Sequence, residues 1–450
     1  MMELLIGTLV TLAVGRYIFK GYSATGVLLS GGLLLLAITA LMGKAVLPAS
    51  VTSTGHVATD VFEYVRFLLV DRGGGLGMLI MVLCGFAGYM SHIGANTILV
   101  KLASKPLGVI KSPYILLVAA YLVACAMSLA VSSATGLGVL LMATLFPLMV
   151  NMGISRGAAA AVCASPAAII LAPTSGDVVM AAQAANMELI EFAFKLTLPI
   201  SLVAIAAMAV THFFWQRYLD QKAGEHNAAV APSDLITDAP GFYAILPFTP
   251  IIGVLLFDGK LGPKLDIVTI IVICLVLAAL LELVRKRNGK ELLDGLQVCW
   301  RSMADAFAGV VMLLVGAGVF AQGLMGLGFI ANLLDLAQSF GTGGIVIMLV
   351  LVVITTLAAF TTGSGNAPFY AFVELIPHLA TSLGVNPAYL VIPMLQASNL
   401  GRTISPVSGV VVACAGMGNL SPFEVVKRTS LPVAVGLLVV ILATQIMVPA

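Results

Sequence analysis

Charged residues are scarce in this sequence. Of its 450 residues only 9% are charged, against roughly 25% in a soluble domain, and 60% are hydrophobic. So few charges exclude a soluble enzyme, and so many apolar residues exclude a disordered chain. A helix that crosses a bilayer uses about 20 mostly apolar residues, so the chain is long enough for about ten spans. The composition therefore predicts a protein whose solvent is lipid.

Cysteine and histidine patterns are equally sparse. The six cysteines stand singly and the five histidines fall in separate segments, so neither a disulfide framework nor a metal site is predicted. The sequence has no HExxH, Walker A or GxSxG string, and no basic patch of the kind that binds nucleic acid. We therefore expect no enzyme, no catalytic residue, no structural metal and no cofactor.

Apolar runs and polar breaks divide the chain into two halves of similar design. The pattern predicts an all-α protein with several membrane spans in each half and a polar linker between the halves. Each half contains an interrupted pair of helices followed by a broken helix. The predicted boundaries are 1–215 for the first half, with its pair at 113–151 and its broken helix at 157–186, 216–241 for the linker, and 242–450 for the second half, with its pair at 343–380 and its broken helix at 387–417.

The two halves also repeat in sequence. Pro173 and Ser175 recur as Pro406 and Ser408, which lie 233 positions later. One shared register over many positions is typical of a duplicated, two-fold architecture. The same offset relates Gly176, Asn186, Glu191, Leu198 and Pro199 to Gly409, Asn419, Glu424, Leu431 and Pro432.

The loop charges predict that the two copies are inverted. Lys101, Lys105 and Lys111 follow the third span, whereas the equivalent residues 325–342 contain no Lys or Arg. Because Lys and Arg collect in cytoplasmic loops, equivalent loops then lie on opposite sides of the membrane. We expect about five crossings plus a re-entrant helical hairpin in each half, a cytoplasmic linker, and both termini in the periplasm. Inverted repeats with broken helices are typical of secondary transporters.

Four polar strings interrupt the apolar pattern at matched places. They are SSATG, PTSGD, TTGSG and SNLGRTISPVSG, which begin at residues 132, 173, 361 and 398. Unpaired backbone is tolerated at membrane depth only inside protein or beside a watery cavity, and Pro and Gly break a helix there. The resulting helix N-termini favour an anion, and exposed carbonyls favour Na⁺ or a proton carrier. The alternative is close helix packing, for which small residues are also common.

Two ionisable residues lie at these strings. Arg402 lies between Asn399 and the Pro406 break, and its guanidinium could pair with a carboxylate at two points. Alternatively, it caps helix carbonyls or neutralises Asp177. Asp177 could bind a coupling cation or carry a proton, or it could simply cap the next half-helix, where the helix dipole favours an acid. The residues alone leave both choices open.

Two further ion pairs follow the broken helices. Glu191 with Lys195, and Glu424 with Arg428, are each spaced about one helical turn apart. We expect them to anchor the chain at the membrane interface, and we expect no role for them in binding.

Long strings in both halves resemble the DcuC family of anaerobic C4-dicarboxylate transporters. They are SSATGLGVLLMATLFP, SPAAIILAPTSGDVV, TTGSGNAPFYAFVE, PMLQASNLGRTISPVSGVVVA and SPFEVVKRTS. The resemblance runs nearly the whole length and is weakest at 220–240. It implies a bacterial inner-membrane carrier of succinate, fumarate or malate, which works in succinate efflux or fumarate/succinate exchange during anaerobic growth. A carrier of another organic anion, such as a short-chain acid or an amino acid, would look much the same.

The family lies near the ion transporter superfamily, whose members are typically dimers with a scaffold domain and a moving transport domain. This analogy implies a homodimer in the lipid bilayer and alternating access of an elevator type. The coupling ion, Na⁺ or a proton, is expected at Asp177, Gly136 and Gly365. By the same analogy the substrate site is lined by Arg402, Ser132, Ser133, Thr135, Thr174, Ser175, Thr361, Thr362, Ser364, Asn366, Ser398, Asn399, Thr403 and Ser408.

Overall fold

The part of the chain that the structure describes consists of helices and connecting segments, with no strand. The structure is a computed structural model, and it describes residues 2–20, 22–48, 51–223, 237–257, 262–329, 332 and 343–449. The α-helices of the first half are α1 (Met2–Phe19), α2 (Ala24–Leu41), α3 (Val57–Gly74), α4 (Leu76–His92), α5 (Ala95–Ser104), α6 (Pro113–Met127), α7 (Ala134–Asn151), α8 (Arg156–Ala164), α9 (Gly176–Ala184) and α10 (Leu198–Ala223). Those of the second half are α11 (Thr249–Leu256), α12 (Ile267–Lys286), α13 (Gly289–Ala306), α14 (Met312–Leu327), α15 (Gly343–Thr362), α16 (Asn366–Val373), α17 (Ile376–Leu383), α18 (Pro387–Thr403), α19 (Gly409–Gly418) and α20 (Pro422–Met447).

Length and apolarity identify the helices that can cross a membrane. Among the described residues seven helices meet both conditions, or up to eight if α3 and α4, which meet at a 44° bend, count as one span. The prediction of an all-α protein with many spans is therefore confirmed. The number is below the predicted ten in part because α11 and the parts of each broken helix are each shorter than the about 20 residues that a bilayer requires. The re-entrant hairpins, the inversion and the membrane sides stay predictions.

Helices of each half pack against helices of the other. In the first half α4 lies against α12 and α13, and in the second half α14 lies against α2 and α3. α2 and α14 approach so closely at Gly32 that a Cβ at this position would clash with the backbone of Phe320. Buried apolar side chains from both halves form one large cluster and a second, smaller one. The two halves therefore share a core.

The helix α18 is enclosed along almost its whole length. Nearly every residue from Ala388 to Thr403 is buried, and the helix packs against α15, α20 and α9. It therefore carries the polar side chains of Gln396, Ser398 and Asn399 into the interior, where each of them is fully buried.

The two broken helices share their local geometry. α9 follows the N-cap residue Ser175, and α19 follows the N-cap residue Ser408. Both helices end near an asparagine in the left-handed region, Asn186 at φ 53° and Asn419 at φ 50°. Asparagine tolerates this conformation better than most residues and often ends a helix. The offset of 233 residues thus relates equivalent backbone turns as well as equivalent residue types.

Two expectations about the end of α10 and the helix α20 need correction. α10 continues to Ala223, so Gln216 and the residues directly after it are helical, and residues 224–236 of the predicted linker lie outside the described residues. Arg428 is not interfacial, because only 1% of its side chain is exposed. The equivalent pair is exposed on both sides, with Lys195 Nζ 2.8 Å from Glu191 Oε1.

The end of α10 supplies the partners that allow Arg428 to be buried. Its Nη1 donates to Asp220 at 2.6 Å, and its Nε donates to Glu424 at 2.8 Å. Gln216 donates to the Arg428 carbonyl at 2.8 Å, and the Tyr114 hydroxyl donates to Asp220 at 3.1 Å. This network joins α6, α10 and α20. The polar residues that look like the start of a linker therefore surround the buried side chain of Arg428.

We expect Arg428→Met to destabilise the protein strongly, because Asp220 and Glu424 lose the cation that neutralises them. Breaking a buried ion pair in this way costs about 3–5 kcal/mol. Lys195→Met is the matched control, since the exposed pair with Glu191 contributes little. Thermal unfolding of the purified protein in detergent measures both variants. Equal melting temperatures for the two variants would contradict the prediction.

Candidate functional site

Two cavities meet at the broken segments of the chain. The larger, of about 760 Å³, lies against α4, α7, α9 and the unwound segment that precedes α9. The smaller, of about 440 Å³, lies against α2, α16 and α19. Cavities of several hundred cubic ångströms fit small-molecule ligands. Their walls share Ala134, Thr135, Val310, Asn366 and Arg402.

Four helices begin at the walls of these cavities. α7, α9, α16 and α19 start at the four polar strings, and residues of each first turn line a cavity. The hydroxyls of Ser133, Ser175 and Ser364 accept N–H groups of these turns at 3.1, 3.2 and 3.3 Å. The Ser408 hydroxyl is buried and has no hydrogen-bond partner among the described residues. The positive ends of four helix dipoles therefore surround the cavities.

Arg402 stands in the wall that the two cavities share. Its Nη2 donates to the Ala167 carbonyl at 3.1 Å, and its Nε is buried without a hydrogen-bond partner among the described residues. Within the same residues it forms no ion pair, although Asp177 lines the larger cavity with it and interacts with it electrostatically. Arg402 thus caps a carbonyl, as one alternative holds, and still has donors that could bind an anion.

Asp177 is held by a residue of the other half. The Tyr370 hydroxyl of α16 donates to Asp177 Oδ1 at 2.6 Å, and both side chains line the larger cavity. The N-cap of α9 is Ser175, whose Oγ accepts the Val178 N–H. Because a serine already fills the capping position, a role for Asp177 as the helix cap loses its main support. The carboxylate is instead a buried acid that faces the cavity.

Most of the site residues predicted from the sequence line one of these two cavities, but a group of four lines neither of them. Thr361, Thr362, Ser398 and Thr403 donate to carbonyls of their own helices at 2.7 to 3.0 Å, a bond that Ser and Thr commonly form three or four residues back. The larger cavity is lined by Ser132, Ser133, Thr135, Gly136, Thr174, Ser175, Asp177, Asn366, Asn399 and Arg402, and the smaller cavity adds Ser364, Gly365 and Ser408.

The cavity walls also contain polar residues that the sequence did not single out. Ser91, Asn96 and Thr97 come from α4 and α5, and Thr25 comes from α2. Asn96 donates to Ser91 at 2.7 Å, and its Oδ1 is buried with no hydrogen-bond partner in the described part of the chain. A single polar residue in an apolar helix carries no periodic signal, so the sequence alone could not show that these residues, or Tyr370, face a cavity.

Comparison with known proteins gives the family. The family described as DcuC, C4-dicarboxylate anaerobic carrier, matches residues 2–449. The chain belongs to the DcuC family. The anaerobic C4-dicarboxylate transporter DcuC of Escherichia coli strain K12 is 70% identical over 447 residues, which cover 99% of this chain and 97% of that protein. The probable anaerobic C4-dicarboxylate transporter DcuC of Vibrio cholerae serotype O1 is 62% identical over 452 residues, which cover 100% and 98%. The resemblance inferred from the strings in both halves is confirmed.

A solved structure shares the fold of this DcuC family member. The crystal structure of the Alcanivorax borkumensis YdaH transporter, described as having an unusual topology, matches with a TM-score of 0.65. The match covers 94% of this chain and 97% of that chain. The two sequences are 18% identical, so the likeness concerns the fold alone.

Proposed function

We propose that this chain is a secondary carrier of C4-dicarboxylates, with succinate, fumarate and malate as its substrates. The observation that carries the proposal is the position of Arg402, whose Nε is buried and unpartnered among the described residues in a wall shared by two cavities. The relatives from E. coli and V. cholerae, which are named for C4-dicarboxylates, support the same class of substrate.

The charge distribution of the cavities suits a small dianion. One carboxylate would pair with the free donors of Arg402, since a guanidinium can bind a carboxylate at two points. The second carboxylate would meet the N-termini of the surrounding helices and the Ser408 hydroxyl, which has no hydrogen-bond partner in the described part of the chain. Arg402 is the one cation in the cavity walls that the structure describes. A site with one cation attracts a dianion and can still release it.

The shared wall also suits alternating access. A substrate bound at Arg402 would be accessible from the larger cavity in one state and from the smaller cavity in the other. In this proposal the interrupted pairs and broken helices move together, in an elevator motion, against the helices α2, α4, α13 and α14. The carrier would work as a homodimer in the bacterial inner membrane, with both termini in the periplasm, in succinate efflux or fumarate/succinate exchange during anaerobic growth.

The coupling ion would act at Asp177. Its carboxylate is buried beside Tyr370 in the larger cavity and lies in the first turn of α9. Gly136 lies in the wall of the larger cavity at the start of α7, and Gly365 lies in the wall of the smaller cavity at the start of α16, where the absence of a side chain would let the backbone approach an ion. In this role Asp177 would bind Na⁺ or carry a proton. Without a nucleotide-binding string in the sequence, an ion or substrate gradient would drive transport.

The first test is release of labelled succinate from proteoliposomes that contain the purified protein. External succinate, fumarate or malate should accelerate release. After it has released labelled succinate outside, an exchanging carrier returns to the inward-facing state faster when it has bound an external substrate. Release that responds instead to short-chain acids or amino acids would reassign the substrate to another organic anion. Release that responds to none of these, under imposed Na⁺ and proton gradients, would refute the proposal.

Replacement of Arg402 by Gln should abolish exchange. Loss of one partner of a buried charged contact costs about 2–5 kcal/mol, which is at least about a 30-fold loss of affinity. Arg156→Gln is the matched control, because Arg156 also donates to a helix-end carbonyl, that of Gly418 at 3.0 Å, but lines neither cavity. Both variants should insert into the membrane in normal amounts. Normal exchange by Arg402→Gln would remove Arg402 from the site.

Replacement of Asp177 by Asn should change how transport depends on imposed ion gradients. The neutral amide cannot release a proton and holds Na⁺ less strongly than a carboxylate does, so uptake should lose its response to the driving gradient. Tyr370→Phe is the comparison, since it removes the 2.6 Å hydrogen bond and leaves the carboxylate in place. Uptake driven by Na⁺ and by pH gradients measures both variants. An unaltered gradient response in Asp177→Asn would show that Asp177 is not the coupling residue.

A further inference from the structure

Gln396 of α18 binds the unwound backbone of the first broken helix. Its Oε1 accepts the Ile170 N–H at 2.9 Å, and its Nε2 donates to the Ile170 carbonyl at 3.2 Å. Nε2 also donates to the Ser201 hydroxyl at 3.1 Å, and that hydroxyl donates to the same carbonyl at 3.4 Å. One fully buried side chain thus pairs both polar groups of one residue outside any helix.

The backbone held in this way forms a wall of the larger cavity. Ala167, Ile170, Thr174 and Ser175 all line that cavity, whereas Gln396 itself lies behind the wall and does not. A carboxamide offers an acceptor and a donor side by side, so it can replace both backbone partners that a continuous helix would have supplied. Without it the Ile170 N–H would lose its partner, and the Ile170 carbonyl would keep only the Ser201 hydroxyl.

The support is present on one side of the duplicated design. The residue 233 positions before Gln396 is Cys163, a buried thiol of α8 that has no comparable donor and acceptor pair. The equivalent of Arg402, which donates to the Ala167 carbonyl, is Ile169. Two side chains of α18 therefore fix the wall between Ala167 and Ile170, and the equivalent positions of the first half, Cys163 and Ile169, offer neither group.

We infer that Gln396 is a positioning residue for substrate binding, which holds the wall from Ala167 to Ser175 in the shape that the ligand requires. The inference rests on the proposed carrier function. Gln396 acts through Ile170 rather than by touching the substrate. Its loss should therefore loosen the wall and weaken binding, and it should leave the maximal rate of the saturated carrier almost unchanged.

The test compares Gln396→Met with Gln322→Met in the full-length protein. Methionine keeps the length of the side chain and removes its strong hydrogen bonds. Gln322 is the matched control, because it is a buried glutamine whose Nε2 donates to the Val46 carbonyl at 3.0 Å, and it lines neither cavity. Hydrogen–deuterium exchange of peptides that cover residues 166–175 reports on the wall. Exchange of labelled succinate in proteoliposomes gives KM and the maximal rate.

We expect hydrogen exchange at residues 166–175 to be about five- to tenfold faster in Gln396→Met, the factor that one net protein hydrogen bond supplies, and unchanged in Gln322→Met. KM should rise at least about fivefold in Gln396→Met while the maximal rate stays within about twofold, as expected when binding alone is weakened. Faster hydrogen exchange with an unchanged KM would make Gln396 a structural brace alone and would overturn the inference. Unchanged hydrogen exchange would overturn it as well.

A second variant keeps the inference testable if the Gln396→Met protein accumulates poorly in the membrane. Ser201→Ala removes the hydroxyl that contacts both Gln396 and Ile170, and it should shift hydrogen exchange and KM in the same direction by a smaller factor. The absence of both shifts would overturn the inference. If the wild-type protein releases no dicarboxylate, the proposed function fails and the inference fails with it. Normal wild-type release together with unaltered hydrogen exchange in the variants defeats the inference alone.

Discussion

Backbone N–H and carbonyl groups at membrane depth must find partners within the protein, and the structure depends on how this is done where helices break. Hydroxyls of Ser133, Ser175 and Ser364 accept N–H groups at three helix starts. At the first broken helix, Gln396 and Arg402 pair the backbone of Ile170 and Ala167. Arg402 Nε has no hydrogen-bond partner among the described residues, and its residue lines both cavities, so these two observations together support Arg402 as the proposed ligand contact.

The duplicated design is used unequally. The broken helices share their serine N-caps and their left-handed asparagines, so the backbone turns are alike in the two halves. The side chains differ, because the second half has Gln396 and Arg402 at the positions equivalent to Cys163 and Ile169 of the first half. One half thus supplies both the cation and the support for the opposing wall. An arrangement that is symmetric in its backbone and asymmetric in its charge can surround a dianion without placing a guanidinium at each end.

The breaks could be predicted from sequence because Pro, Gly and hydroxyl residues act locally, and the offset of 233 residues then related the halves. Contacts made at a distance could not. Tyr370 looks like a core aromatic until α9 places Asp177 beside it, and Gln216 looks like the start of a linker until α20 places Arg428 beside it. The orientation of the Thr361 hydroxyl could not be predicted either. A threonine with the same sequence pattern can turn toward a cavity or donate to a carbonyl of its own helix, as Thr361 does.

Three arginines elsewhere in the described part of the chain are paired with carboxylates. Arg428 contacts Asp220 at 2.6 Å, Arg72 contacts Glu374 at 2.8 Å, and Arg285 contacts Glu282 at 2.6 Å. An isolated ion is costly at membrane depth, so such pairing is expected, and an anion that met one of these cations would first have to displace a carboxylate. Arg402 forms no ion pair within the described residues and requires no displacement. The same electrostatic cost that pairs these structural charges therefore supports the proposed anion at Arg402, and it does so through charge before the shape of the substrate is considered.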